Sequence, residues 1–339
     1  MNDATPVCID SCEVKRVNRR RRFIAALSAA GFLVLIFDNK LAFSGAGDGI
    51  ELCLKTIIPA LFPFFVLSSV FLRYTTFSPT LDTLCSYVFG LPRGAGSLAL
   101  PCFLGGYPVG AQCIYYAYSM GQISKTDAEK LLAFCNNAGP SFLFGVISRM
   151  FRNPWIPWLL WSIHLTGARI AAYCLPCENN LSNFGSYART SEGNLLSQAI
   201  MTMGTICGWI ILFRVLIAFL DKWFLWFLPS PFRVAVLGIL ELSNGCSELP
   251  GIVDVKVRFI LCSGMLAMGG LCVIAQTISV VHNLSLRYFA AGKLIQLFVS
   301  LILSYCAMYQ NILPLFLLIL LLIYHNSKKI SGNQIASGV

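Results

Sequence analysis

Leu104-Gly105-Gly106-Tyr107-Pro108-Val109-Gly110-Ala111-Gln112 and Phe134-Cys135-Asn136-Asn137-Ala138-Gly139-Pro140-Ser141 are two short runs of small and polar residues set inside apolar stretches. Broken helix at membrane depth is tolerated only where the freed backbone groups face protein or a polar cavity. Paired breaks of this kind are the best sequence pointer to a transport site near the membrane midplane. Both runs therefore direct the reading toward an all-α polytopic membrane protein with discontinuous, re-entrant helices.

The surrounding composition agrees. The chain is 57% hydrophobic and 12% charged, with a mean hydropathy of +0.72, where a soluble domain carries roughly 25% charged residues. Its 339 residues have room for about eight transmembrane helices of roughly 20 residues each. The net charge of +10 is not a nucleic-acid signal, because much of it is one block, Lys15, Arg16 and Arg19 to Arg22, just before the first apolar run. Such a block holds its end in the cytoplasm and suits anionic lipid. Lys328 and Lys329 follow the last apolar run, which places the C-terminus on the same side and implies an even number of crossings. The partner this composition implies is the lipid bilayer.

The chain divides into a basic cytoplasmic segment (1–22), a signal-anchor helix with an interfacial segment (23–55), a first gate-like repeat (56–175), a polar linker (176–194), a second gate-like repeat (195–310), and a last transmembrane helix with a basic tail (311–339). The short run Phe23 to Phe37 also reads as a signal peptide, with Ser44-Gly45-Ala46 faintly like a cleavage site; the spans that follow favour an uncleaved anchor. Residues 38–55 mix charged and apolar positions and fit an interfacial amphipathic segment. Thr56 to Leu72 contains Pro59 and Pro63 and reads as a kinked helix. Ser124-Lys125-Thr126-Asp127 is a capping box opening a helix at about Lys125. Trp155, Trp158 and Trp161 mark an interface at the start of a full span. The second repeat matches the first at Leu228-Pro229, at Glu241 to Gly245, and at Gly269-Gly270 with Gln276.

Gly106 and Gly110 allow close backbone approach, and Pro108 breaks the helix. Half-helices expose free N–H groups that suit a carboxylate or phosphate. Gln112, Asn136 and Asn137 add amides that read a polar ring or carboxylate without a fixed charge. The candidate binding set is Gly106, Tyr107, Pro108, Gly110, Gln112, Asn136, Asn137, Gly139, Pro140, Ser243, Asn244, Gly245 and Gln276. The plainer alternative is that these small residues only permit tight helix packing. Glu241, at the end of an apolar run, is a candidate for binding a coupling proton or cation, or for an ion pair with Arg214 or Arg169. Arg214 is a candidate charge for an anionic substrate, unless it snorkels to an interface. His164 is either a proton shuttle or a hydrogen-bonded structural histidine.

The fourteen cysteines lie mostly in apolar runs, where free Cys acts as a small hydrophobe. Cys174 and Cys177 have metal-like spacing, but no second pair or nearby histidine completes a site. No zinc helix, P-loop or nucleophile elbow is present, so the expectation is a non-enzyme without a cofactor.

Phe62-Pro63-Phe64-Phe65, Gly106 to Ala111, Gly121-Gln122-Ile123-Ser124, Leu131 to Asn136, and Ala138-Gly139-Pro140 followed by Phe142 and Gly145 resemble the YlbJ-type sporulation integral membrane proteins of the nucleoside-recognition (Gate domain) superfamily. Gly238 to Glu241 with Gly245, and Gly269-Gly270 with Gln276, resemble the second gate segment. The resemblance implies a mother-cell membrane protein of endospore formers, placed in the forespore outer membrane. It further implies a part in moving dipicolinic acid and in cortex formation and maturation. The superfamily also contains nucleoside carriers, so a nucleoside or other small molecule stays open as substrate. A non-transporting scaffold for spore-envelope assembly is the reading from another class.

Overall fold

The computed structural model describes residues 11–74, 96–175 and 195–315, with isolated positions between 80 and 87. Among the described residues there are helices and turns but no strand. Helix α1 (Ser11–Phe37) leads into α2 (Asn39–Leu52), a π-helical turn (Cys53–Ile57) and α3 (Ile58–Tyr74). The next helices are α4 (Gly96–Gly105), α5 (Val109–Ser119), α6 (Lys125–Cys135), α7 (Pro140–Gly145) and α8 (Ile156–Cys174). Helix α9 (Leu195–Leu220) opens a second series: α10 (Ser230–Leu240), α11 (Leu242–Glu248), α12 (Val255–Met268), α13 (Gly270–Val280) and α14 (Arg287–Tyr309).

Among the described residues, four helical stretches are long and apolar enough to cross a membrane: Asn39–Leu67, Leu195–Leu225, Val255–Val280 and Arg287–Tyr309. The expected last span lies almost wholly outside the described residues, as do the polar linker 176–194 and Cys177.

Residues 38–55 differ from the interfacial reading. They form a helix that continues through the π turn into α3, and the long stretch is packed along α9. Gly45 and Gly49 make this possible. A Cβ on Gly49 would stand 3.0 Å from the Ile211 Cα, and one on Gly45 would stand 3.1 Å from the Val215 Cα. Small residues that let backbones approach are what drive helix association in lipid. The charges of this segment are met locally: Lys222 bonds Asp38, Lys55 bonds Glu51, and Arg214 bonds Asp48 at 3.2 Å.

The order of the two series explains the architecture. Helices α4 and α5 fold back on each other, with the Cys102 thiol 3.7 Å from the Gly110 carbonyl. Helices α10 and α11 do the same: Gly245 lies against Gly238, and Arg233 near the start of α10 reaches Glu248 at the end of α11, 3.2 Å away. Each hairpin is followed by a broken helix, α6–α7 and α12–α13, and then by a long unbroken one, α8 and α14.

Contacts at the two ends of the bundle give the directions. At one end the Glu129 carboxylate accepts the Ser285 N–H (2.8 Å) and the Tyr115 ring meets His282 edge-on. At the other, Arg258 donates to the Met150 carbonyl (3.2 Å) and Phe151 meets Phe259. The two broken helices therefore run antiparallel. The α4–α5 hairpin opens toward the first end and the α10–α11 hairpin toward the second, so their tips approach from opposite sides.

The capping box at α6 is formed, with the Ser124 Oγ accepting the Asp127 N–H at 3.0 Å. Asp254 caps α12 in the same way, its carboxylate accepting the Lys256 N–H at 2.8 Å. Among the described residues the cysteines are free, and no group of His, Cys, Asp and Glu is placed to hold a metal.

Candidate functional site

Two glycines decide how the first hairpin meets the first broken helix. Gly106 has φ +67°, a conformation L side chains rarely adopt. A Cβ there would stand 2.6 Å from the Gly139 nitrogen. The backbones therefore touch, and the Tyr107 N–H donates to the Asn137 carbonyl at 2.9 Å. Gly110 lies over the Cys135 carbonyl, where a Cβ would come to 2.8 Å. The second half repeats the arrangement with Gly270 at φ +83°, set against the carbonyls of Gly238 and Ile239.

The two hairpin tips and the first break enclose a cavity of about 40 Å3. Its wall includes Gly105, Gly106 and Tyr107 from one tip, Glu241, Leu242 and Ser243 from the other, Gly139 and Ser141 from the break, and Gln276 from α13. Apolar side chains of α3 and α9 close the remaining wall. This volume holds a water or a few waters and no aromatic dianion. The Tyr107 hydroxyl is buried without a partner, and a buried polar group of that kind calls for an explanation.

Glu241 is the single extended residue between α10 and α11. Its carboxylate caps α11: Oε1 accepts the Ser243 N–H (3.0 Å), and Oε2 accepts the Asn244 N–H (2.7 Å) and the Asn244 side-chain amide (2.8 Å). The carboxyl group at this helix N-terminus is thus the protein's own. It pairs with neither Arg214 nor Arg169. Arg214 is bonded to Asp48 in an outer cleft of about 310 Å3, which Asn244 and Ser247 also line. Arg169 lies over the Tyr87 ring, 5.2 Å from its centroid. The first turn of α11 therefore lies between the outer charged cleft and the chamber.

Of the residues singled out in the sequence, Gly106, Tyr107, Gly139, Ser243, Gln276 and Glu241 line the chamber. Pro108 and Pro140 stand at the starts of α5 and α7, Gly110 and Gly245 are packing positions, and Gln112 sits half-buried on α5. Asn136 joins the two broken helices, donating to the Thr277 Oγ1 at 2.9 Å, while its own Oδ1 has no partner.

Asn137 faces away from the chamber. Its side-chain oxygen accepts from the Lys293 ammonium at 2.9 Å, and the Lys293 Nζ also reaches the Gln296 Oε1 at 3.2 Å. The Gln296 amide donates to the His164 carbonyl (3.2 Å), and the His164 Nε2 accepts the Ala138 N–H (3.2 Å). Lys293 and Gln296 were not singled out in the sequence. Both lie on α14, where the helical spacing of Lys293, Gln296, Ser300 and Ser304 marks one buried polar face.

No protein-family model matches the chain, and no solved structure matches it. It is 25% identical over 324 residues to the sporulation integral membrane protein YlbJ of Bacillus subtilis (strain 168), a likeness that covers 80% of this chain and 79% of that protein. The likeness supports a YlbJ-like family for this multi-pass membrane chain.

Proposed function

We propose that this protein is a sporulation membrane carrier that moves a small anion, with dipicolinate the leading candidate, by alternating access. The observation that carries the reading is the cavity, with Tyr107, Glu241, Ser243 and Gln276 in its wall, where two hairpins entering from opposite sides meet a broken helix. Inverted repeats with broken helices at the midplane are the usual build of secondary transporters. The relative's name supplies the sporulation setting. On this reading the chain is no enzyme, sits in the mother-cell-derived outer membrane of the forespore, and has both termini in the cytoplasm. The gate-like repeats and their superfamily belong to the same proposal.

Tyr107, Ser243 and Gln276 supply hydroxyl and amide groups for a planar polar ring. One feature favours a second substrate class: among the described residues lining the chamber no cation is present, which fits a neutral nucleoside better than a dianion.

The test is flux of labelled dipicolinate into liposomes carrying the purified protein, with uridine as the comparison and Gln276→Ala and Asn136→Ala as controls. Dipicolinate flux lost in the variants supports the reading. Uridine flux alone selects the nucleoside carrier. No flux of either from folded protein overturns transport and leaves a scaffold for envelope assembly.

A further inference from the structure

The polar network behind the first break lies outside the chamber wall and holds a buried lysine. Lys293 is 5% exposed, in the second turn of a helix long and apolar enough to span the membrane. Ionisable groups buried inside spanning helices are costly and are functional candidates by default. Among the described residues no carboxylate lies within ion-pair reach of it. Its nitrogen instead meets two neutral amide oxygens, Asn137 Oδ1 at 2.9 Å and Gln296 Oε1 at 3.2 Å, and the face of Phe289, 5.6 Å from the ring centroid.

That coordination accommodates two protonation states. A neutral amine has two N–H groups, enough for the two oxygens. An ammonium has a third, and the Phe289 face is the remaining surface, favourable to a cation. A lysine paired with a carboxylate would be fixed as a cation; this one is not.

Helices α6, α8 and α12 pack against α14. The ionisable group they bring to the network is His164 of α8, which lies 3.4 Å from the Gln296 amide and whose other ring nitrogen accepts the Ala138 N–H. The charged groups of α6 sit in its first two turns, where Glu129 binds Ser285 and Lys130 lies over Tyr288. Arg169 of α8 lies over Tyr87, Lys256 of α12 lies over Tyr309, and Arg258 binds backbone carbonyls. Cys135 and Cys262 are buried thiols on α6 and α12.

We propose that Lys293 is the residue at which this carrier takes up and releases a coupling proton. The inference rests on the carrier reading above. The stretch Asn137 to Gly139 connects the two sites: Asn137 and Ala138 bond the network, and Gly139 lines the chamber. As an ammonium, Lys293 places a positive charge behind the chamber wall and favours an anion within it. A proton bound on one side with the substrate and lost on the other moves both in the same direction. One N–H bond forms and breaks per cycle.

The test uses the full chain in liposomes with a pH-sensitive dye inside. Lys293→Arg keeps a cation that does not lose its proton, and Gln296→Glu places a carboxylate beside Lys293 that fixes its charge. Wild type should acidify the lumen as dipicolinate enters. Either variant should still exchange labelled for unlabelled dipicolinate while the dye signal falls to that of protein-free liposomes. Dipicolinate entry in wild type without proton movement overturns the proposal alone and leaves the carrier standing. So does unchanged coupling in the variants, or loss of exchange in both despite normal folding. Absence of wild-type flux removes the carrier reading and this proposal with it.

Discussion

At the scale of single residues, the chamber depends on backbone contacts that only glycine allows. Gly106→Ala adds a Cβ against the Gly139 nitrogen at a positive φ, which should cost about 1–3 kcal/mol and lower the thermal unfolding midpoint in detergent. An unchanged midpoint would show that the hairpin tip sits away from the break. Glu241→Gln leaves one acceptor oxygen where two now take three hydrogen bonds. A loss of about 1–2 kcal/mol is expected, together with loss of flux. Asn136→Ala and Thr277→Val should be coupled by about 1 kcal/mol in a double-mutant cycle, since they remove two sides of one bond. The tip and break were legible because Gly and Pro announce backbone geometry in any context. Of the network, Asn137 and His164 stood out in the sequence, and Lys293 and Gln296 did not. A lone Lys293 on an apolar helix reads the same in sequence whether it snorkels to an interface or bonds Asn137.

At the scale of elements, α2 is the clearest departure from the sequence reading. Its charges suggested the membrane surface, but Asp48 and Glu51 each meet an opposite charge, and the glycines supply a packing stripe that hydropathy does not register. Gly49→Leu should push α2 from α9 and destabilise by about 1–3 kcal/mol. Gly47→Leu, on the same helix with nothing within 4 Å, should stay within about 0.5 kcal/mol of wild type. Equal effects in thermal unfolding would place the α2–α9 contact elsewhere. Helix starts were readable where a capping side chain precedes an apolar run, as at Ser124. The fold-back of α11 on α10 was not readable, because Glu241 could equally have extended the chain. It is set by the Gly238–Gly245 approach and the Arg233–Glu248 pair, both of which need the folded partner.

At the scale of the whole molecule, the opposed directions of the two hairpins make a topological prediction. In a protein freed of its fourteen cysteines, single cysteines at Met120 and Val253, both exposed, should react with a membrane-impermeant thiol reagent from opposite sides of the bilayer. Reaction from the same side would contradict the antiparallel arrangement of the broken helices. The recurring helix order was visible in the sequence only as faint matches between apolar runs. Such runs align easily, and hydropathy alone carries no direction. The central claim is that the chamber between the tips opens to each side in turn. It is tested most directly by a single cysteine at Ser243, which lines the chamber, probed with the impermeant reagent from either side. The account predicts labelling from both sides, slowed from both by dipicolinate. Labelling from one side only, whatever the substrate, would contradict it and make the chamber a packing defect rather than a path.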